Sequence, residues 1–218
     1  MMILALLLQI NFAGSPMRGH VASWNEVLFY GDSKTWLNTC QPYFARLSNA
    51  HAGYPATIQI AVSNVGITGT VAIGGSTVTS MLSRQAADLA SIPTQANPKY
   101  VLMNLGINEV ISGIPAEATW KANALSLVDG LRTRWPVIQV YWMRVWRQGA
   151  GYQADIATIN GYIEWVPTQR SWVHLGPDER VWAENGDDGA TMFYDGLHYS
   201  DAGALECANQ WLGVLGWD

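Results

Sequence analysis

Charged residues, cysteines and basic character are all scarce in this sequence. Only 13% of the 218 residues are charged, and the formal net charge is −5 at pH 7. A nucleic-acid-binding protein would show a basic patch or stripe, so the composition argues against a nucleic-acid partner. Apolar residues make up 49% of the chain, enough to bury one substantial core. We therefore expect a single globular domain over residues 1–218.

Motifs for metals and disulfides are equally rare. The two cysteines are Cys40 and Cys207, and neither a Cys-x-x-Cys pair nor a His-Glu-x-x-His motif occurs. A structural zinc site is therefore not expected. Two buried free thiols are the favoured interpretation of the cysteines. A disulfide between them is the alternative, and it would indicate an oxidising compartment.

The chain also lacks a long hydrophobic run. The N-terminal segment Met1–Gly14 is apolar but too short to span a membrane. No Lys or Arg precedes its apolar stretch, which argues against a signal peptide, and apolar and polar residues alternate from Gln9 to Phe12 as in a strand. We interpret residues 1–22 as an N-terminal extension that forms a strand or an ordered arm, with a signal peptide as the alternative. The compartment and the oligomeric state stay open.

What the chain does contain is a series of strand-length apolar runs. The clear ones are Val27–Tyr30, Tyr100–Leu105, Val137–Trp142 and Trp172–Leu175, and Thr57–Val62 is a weaker fifth. They are continuous rather than alternating, which is typical of parallel strands that are buried on both faces.

Helical periodicity lies between these runs. Helices are predicted at Val78–Ala90, Ala116–Arg134, Asp155–Val166 and Ala202–Leu212. Strands that alternate with helices predict an α/β fold, here a mostly parallel sheet covered by helices on both faces. In such folds the active site lies beyond the carboxyl ends of the strands.

Polar, glycine-containing turns carry residues that are able to do chemistry. These turns are Gly31-Asp32-Ser33, Gly74-Gly75-Ser76, Gly106-Ile107-Asn108-Glu109 and Asp195-Gly196-Leu197-His198. A serine hydroxyl is a poor nucleophile until a base accepts its proton, so Ser33 needs a partner such as His198. Asp195, close by in the same turn, can orient that imidazole. The N–H groups of Ser33 and Gly75 and the amide of Asn108 are candidate donors to an oxyanion.

The four blocks, taken in order, resemble the SGNH hydrolases, which are the GDSL-type esterases and lipases. The resemblance extends from Gly31 to Gly203, the glycine that trails the last block. It implies a three-layer α/β/α sandwich, a flavodoxin-like fold with about five mostly parallel strands. No metal or cofactor is needed for the chemistry of this family.

The resemblance also implies a role for each motif residue. Ser33 is expected to be the nucleophile, His198 the base and Asp195 the acid that orients it. The oxyanion hole is expected to use Ser33, Gly75 and Asn108.

Two departures from the family pattern, in the third and second blocks, matter for the proposed roles. The third block has Glu109 where the family has Asp. In the second block the donor glycine is either Gly75 or Gly69. We favour Gly75, because Thr77, Leu82 and Arg84 then match the start of the helix that follows this block in the family. With that choice, Thr70 stands where the family has Asn.

Tryptophans and acids outside the blocks offer further candidates. Of the eleven tryptophans, Trp36 and Trp146 are candidate substrate contacts, because one follows Ser33 closely and the other follows the fourth strand. Aromatic faces suit sugar rings and acyl chains. An acidic group is interpreted as a solvated loop, because its spacing is not that of a calcium site. Its members are Asp178, Glu179, Asp187 and Asp188.

The residues therefore predict a serine ester hydrolase that acts through an acyl-enzyme. We expect it to remove short acyl groups, such as acetyl, from a carbohydrate, because a long apolar lid is absent and aromatics lie near the site. Its partner is then a small-molecule or glycan ester. A lysophospholipase or thioesterase would use the same residues. A catalytically weak glycan-binding module is the alternative from a different class.

Overall fold

A parallel sheet forms the centre of the molecule. The computed structural model describes residues 27–35, 67–92, 94, 96–183 and 191–216, and within these ranges five strands form one sheet in the order β2-β1-β3-β4-β5. They are β1 (Val27–Gly31), β2 (Ile67–Ala72), β3 (Tyr100–Asn104), β4 (Gln139–Arg144) and β5 (Val173–Asp178). Each neighbouring pair is parallel. The predicted α/β fold is therefore confirmed, and the strand order is the flavodoxin-like one.

Helices cover both faces of this sheet. In chain order the described helices are α1 (Val78–Ser91), α2 (Ile107–Ser112), α3 (Glu117–Arg134), α4 (Gln153–Gln169), α5 (Glu179–Ala183) and α6 (Asp201–Leu215). Buried residues of α1 to α4 pack on one face of the sheet, and those of α5 and α6 pack on the other. The described part of the chain is thus a three-layer α/β/α arrangement.

Strand β1 explains why the apolar runs in the sequence are continuous. All its residues are buried. Leu28 and Tyr30 pack with the α1–α4 layer, while Val27 and Phe29 pack with the α6 layer. Because successive side chains of a strand point to opposite faces, a strand between two helical layers needs apolar residues at every position.

The ends of two helices follow from local sequence. Thr77 caps α1: its side chain accepts a hydrogen bond from Ser80 N, and Ser80 Oγ accepts one from Thr77 N. Ser200 caps α6 by accepting from Gly203 N at 3.1 Å. Gly216 then ends that helix in the left-handed conformation, with φ of 65°. Such caps satisfy N–H and C=O groups that have no partner within the helix.

The strand beside β1 was not among the predicted elements. The predicted strand Thr57–Val62 lies outside the described residues, and within them β1 pairs with β2, Ile67–Ala72. Gly69 and two threonines made this segment resemble a loop in the sequence. Its β-branched residues suit a strand, and a strand at the edge of the described sheet does not need a continuous apolar run.

Other boundaries differ for local reasons. Strand β4 begins at Gln139 because Ile138 N–H donates to Trp135 O in a turn, and this turn leaves Val137 63% exposed. Helix α4 continues to Gln169, past Pro167 in its last turn, where proline removes a single helical hydrogen bond. The sequence does not predict α2 and α5, because six and five residues are too few to show a helical period.

Three further expectations concern the cysteines and the N-terminus. Cys207 is a buried free cysteine, whereas Cys40 and the N-terminal extension 1–22 lie outside the described residues. No helix in the described part of the chain is long and apolar enough to cross a membrane.

Leu131 tests the packing of the α3 layer. Its side chain is fully buried between α3 and the sheet. We expect Leu131→Ala to lower the free energy of unfolding by about 2 to 5 kcal/mol, because the substitution removes buried methyl groups and leaves a cavity. Urea unfolding followed by circular dichroism measures this loss, and an unchanged midpoint would contradict the packing described.

Candidate active site

The polar turns meet at the carboxyl edge of the sheet, beside β1. Backbone hydrogen bonds connect the turn after β1 to both neighbouring strands: Asp32 N donates to Asn104 O, and Ile73 N donates to Gly31 O, each at 3.3 Å. In the order β2-β1-β3-β4-β5 the chain reverses direction across the sheet between β1 and β3. Open α/β sheets bind their ligands at such a switch point.

The turn after β1 presents Ser33 and buries the residues around it. Asp32, Lys34 and Thr35 are buried, whereas Ser33 is partly exposed. Thr35 N donates to Asp32 O at 3.1 Å, and Lys34 N donates to Asp32 Oδ1 at 3.0 Å. Gly31 is required for space, because a Cβ there would lie 2.7 Å from Asn104 O and against the Thr35 side chain.

A second turn carries Asp195 and His198. Phe193 and Tyr199 form an antiparallel bridge at its base. At its tip Asp195 Oδ1 accepts hydrogen bonds from Leu197 N at 3.0 Å and from His198 N at 2.7 Å. Gly196 has φ of 76°, a conformation that favours glycine. The Asp-Gly-Leu-His sequence therefore folds locally into a turn that holds the carboxylate beside the imidazole.

The two turns bring serine, histidine and aspartate into one chain of hydrogen bonds. Ser33 Oγ lies 2.9 Å from His198 Nε2, and His198 Nδ1 lies 2.7 Å from Asp195 Oδ2. A carboxylate only accepts, so the imidazole proton belongs on Nδ1, and Nε2 is then free to accept the Ser33 hydroxyl proton.

The Asp195 carboxyl group is held in its ionised form. Partial burial alone would raise its pKa. The hydrogen bonds from the His198 backbone and side chain and from Leu197 N outweigh that effect and hold the pKa below its usual value. An ionised acid in this position can orient the imidazole and stabilise its charged form.

Asn108 and Gly75 belong to separate elements, α2 and the turn after β2. Asn108 Nδ2 donates to Asp32 Oδ2 at 3.1 Å and to Ser76 O at 3.0 Å, so this amide joins the turns after β1 and β2. Gly75 lies in the turn after β2 with φ of 76°. Gly69 lies within β2, paired with Leu28.

Glu109, which replaces the family's Asp, acts as a cap for α1. Its Oε1 accepts from Val78 N at 2.7 Å and from Trp120 Nε1 at 3.2 Å. Burial raises the pKa of Glu109, and these hydrogen bonds oppose that shift. The longer acid therefore supports the start of α1, directly after the turn that contains Gly75.

The structure corrects the prediction for part of the acidic group. Glu179 is not in a solvated loop: Glu179 and Lys34 both have fully buried side chains, and Lys34 Nζ lies 2.8 Å from Glu179 Oε2. A buried charge needs a partner of opposite sign, and Lys34 supplies it. The signal for this pair in the sequence is a lysine that directly follows an apolar strand and its Gly-Asp-Ser turn.

Asp178, another acid of the group, is paired with arginines. Asp178 pairs with Arg180 at 2.6 Å and with Arg144 at 3.3 Å. Asp187 and Asp188 lie outside the described residues. Within the described ranges no group of His, Cys, Asp and Glu side chains is arranged to hold a metal ion.

The two tryptophans proposed as substrate contacts have different outcomes. Trp36 lies outside the described residues. Trp146 is only 3% exposed and packs against Phe193, with ring centroids 5.2 Å apart. Trp146 is therefore a core residue rather than a surface for a sugar ring. Among the described residues, Tyr194 has its ring beside the imidazole, with its centroid 6.0 Å from that of His198.

A hydroxyl, an imidazole and a carboxylate joined at the carboxyl edge of a parallel sheet form the kind of site that hydrolases use for acyl transfer. The sequence agrees with this class: residues 29–205 match the model of the GDSL-like lipase/acylhydrolase family. The chain belongs to this family and is a carboxylic ester hydrolase.

Solved structures share the fold at low sequence identity. The acetylxylan esterase Axe2 from Geobacillus stearothermophilus matches with a TM-score of 0.70 and 20% identity, over 91% of this chain and 97% of that one. The psychrotrophic esterase EstA from Pseudoalteromonas sp. matches with a TM-score of 0.67 and 17% identity, over 88% and 97%. A lipolytic G-D-S-L family protein from Veillonella parvula gives 0.67 and 14%, over 88% and 98%. No curated protein shows significant sequence similarity to the chain.

The burial of Asp32 makes the stability of the folded protein depend on pH. Burial raises its pKa from 3.8 to about 7, against the opposing effects of the Lys34 N–H and charge, and Glu179 and Glu109 raise it further. The folded protein therefore keeps this proton up to about pH 7, whereas the unfolded chain releases it near pH 4. The stabilisation from this group is complete at low pH and is lost as the pH rises through about 7.

We expect Asp32→Asn to remove this component of the stability profile. The unfolding free energy of the wild type, relative to that of Asp32→Asn, should fall from about pH 4 to about pH 7 and stay constant above that. Urea unfolding of both proteins across this range measures it. Parallel stability profiles for the two proteins would contradict the assignment.

Proposed function

We propose that Ser33, His198 and Asp195 are the catalytic residues of this esterase, as nucleophile, general base and orienting acid. The single observation that carries the proposal is the continuous chain of contacts from Ser33 Oγ through His198 to the Asp195 carboxylate, at 2.9 and 2.7 Å. Both distances are within the range in which a base takes up a proton.

The reaction then has two halves. In the first, the Ser33 hydroxyl gives its proton to His198 Nε2 while Oγ bonds to the ester carbonyl carbon. The protonated imidazole returns that proton to the departing alkoxide as the ester C–O bond breaks, which leaves an acyl-enzyme. In the second half, His198 takes a proton from water, the water oxygen attacks the acyl carbon, and Ser33 Oγ recovers the proton as the acid leaves.

The oxyanion would be stabilised by the N–H groups of Ser33 and Gly75 and by the side-chain amide of Asn108. An amide NH₂ has two hydrogens, and those of Asn108 face Asp32 and Ser76 O in the resting structure. Donation to substrate therefore requires Asn108 to share or turn one of these hydrogen bonds. Removing one such donor typically lowers kcat by a factor of about 10² to 10³.

Hydrolysis of p-nitrophenyl acetate by wild type and Ser33→Ala tests the assignment of the nucleophile. We expect kcat to fall at least about a thousandfold in Ser33→Ala, because the acyl-enzyme route is lost. His198→Ala should lose a similar factor. Circular dichroism spectra that match the wild type are the control for folding. Equal rates for wild type and Ser33→Ala would reject the proposal.

For the substrate we propose short acyl groups, such as acetyl, on a carbohydrate. The fold-level likeness to the acetylxylan esterase Axe2 supports this choice. A specific observation favours a second candidate, an acyl-chain hydrolase of the lysophospholipase or thioesterase type. Ile73 and Ile111, in the turn after β2 and in the helix that carries Asn108, are 46% and 45% exposed and offer apolar contacts for a longer chain.

Acyl-chain preference separates the two candidates. We expect wild-type protein to hydrolyse p-nitrophenyl acetate with a higher kcat/KM than the octanoate, and to release acetate from acetylated xylo-oligosaccharides. Ser33→Ala is the control in both assays. Preference for chains beyond about eight carbons, with Ile73→Ser lowering kcat/KM for those chains, would favour the acyl-chain hydrolase, since each buried CH₂ contributes about 0.8 kcal/mol. Glycan binding without Ser33-dependent turnover would favour a glycan-binding module.

A further inference from the structure

We propose that Glu179 is a positioning residue that fixes the distance between Ser33 and His198, by binding the side chains of the residues that directly follow them. The inference rests on the proposed catalytic function of Ser33 and His198. It concerns a carboxylate that the mechanism above does not use.

The central observation is that one carboxylate contacts both halves of the site. Lys34, the residue after Ser33, contacts Glu179 Oε2 through Nζ at 2.8 Å. Tyr199, the residue after His198, donates its hydroxyl to Glu179 Oε1. A movement of either turn must therefore stretch a contact to the same side chain.

A third donor holds Glu179 itself in place. Trp146 N, after β4, donates to Glu179 Oε2 at 2.6 Å, and Trp146 O accepts from Lys34 Nζ at 2.7 Å. Lys34 Nζ also lies 5.0 Å from the ring centroid of Phe193 and 5.4 Å from that of Tyr199, at the base of the histidine turn. Glu179 thus has donors from three separate segments and cannot follow one of them without losing another.

Burial prevents water from replacing these contacts. The side chains of Lys34 and Glu179 are both 0% exposed, so neither can exchange its partner for water. A buried ion pair is weak evidence for added stability, because desolvation offsets much of the attraction. Breaking it on one side is nevertheless costly, so the pair favours a single arrangement of the groups around it.

The residue type at position 34 also needs an explanation. The family is named after a Gly-Asp-Ser-Leu sequence, and this chain has lysine in the place of the leucine. An apolar side chain would make no electrostatic demand on the core. A lysine there requires a buried anion, and the anion present is the one that also contacts Tyr199.

Two substitutions break the connection at either end. Tyr199→Phe removes one hydroxyl group and keeps the ring, and Lys34→Met removes the charge and keeps a chain of similar length. The double variant completes a cycle. Leu131→Ala is the matched control, because it should destabilise the protein from the distant α3 layer. All proteins are assayed for p-nitrophenyl acetate hydrolysis and for urea unfolding, with Ser33→Ala as the inactive reference.

We expect each single variant to lower kcat about ten- to a hundredfold, because a displacement on the scale of an ångström misaligns the hydroxyl and imidazole. KM should stay within about twofold, since Glu179 does not contact substrate. The double variant should lose no more than the worse single variant, because one broken contact already uncouples the turns. Leu131→Ala should keep wild-type kcat. The loss in unfolding free energy of the double variant should likewise be smaller than the sum of the two single losses.

The outcomes that overturn the inference differ from those that overturn the function. A wild-type kcat in both Tyr199→Phe and Lys34→Met would show that Glu179 is only a structural partner. Independent effects would show the same: the factor by which kcat falls in the double variant would then be the product of the single factors, and its loss in unfolding free energy would be the sum of the single losses. If Lys34→Met does not fold, Tyr199→Phe decides the kcat test alone. Equal turnover by wild type and Ser33→Ala would instead reject the proposed function, and the stability cycle would still decide whether Glu179 couples the two turns.

Discussion

The need to satisfy buried polar groups is the constraint on which this site depends. The carboxyl edge of the sheet buries three carboxylates, those of Asp32, Glu109 and Glu179. Each accepts hydrogen bonds from at least two separate segments. An unpaired carboxylate in this environment would be strongly destabilising. The hydrogen bonds that stabilise these buried acids therefore also hold the turns of the candidate site in place.

Asp195 and Asp32 differ in burial and in the direction in which the pKa is shifted. Asp195 is partly exposed and contacts His198 directly, and its hydrogen bonds keep its pKa low. Asp32 is fully buried, has its pKa raised to about 7, and accepts a hydrogen bond from the side-chain amide of Asn108. The two acids thus have different environments, and of the two Asp195 is the one suited to face a charged imidazole at neutral pH.

Much of the fold was predictable because parallel strands leave a direct record in the sequence. The buried runs around Val27–Gly31 and Tyr100–Asn104 are continuous, and the helices between them keep a regular apolar period. Strand β2 was not predicted, because Gly69 and its threonines resemble a loop and its identity as a strand comes from pairing with β1. Tertiary pairing of this kind leaves no local signal.

For the candidate site, residue types and turns can be read from the sequence, whereas contacts between distant partners cannot. Ser33, Asp195 and His198 are each recognisable from their turns. The pairing of Lys34 with Glu179 spans 145 positions, and no spacing rule connects them. Trp146 was misjudged for a related reason: its place after β4 was foreseen, but the ring of Phe193 that covers it comes from another part of the chain.

The separation of Ser33 from His198 by 165 positions has a consequence for how the protein reaches its native state. A fragment contains both groups only if it extends from Ser33 to His198, and strands β2 to β5 lie between these two residues in the chain. Closing a loop of this length costs conformational entropy, so we expect this contact to form late in folding. Recovery of esterase activity is thus a reporter of the last stage of refolding, and it should lag behind the return of secondary structure.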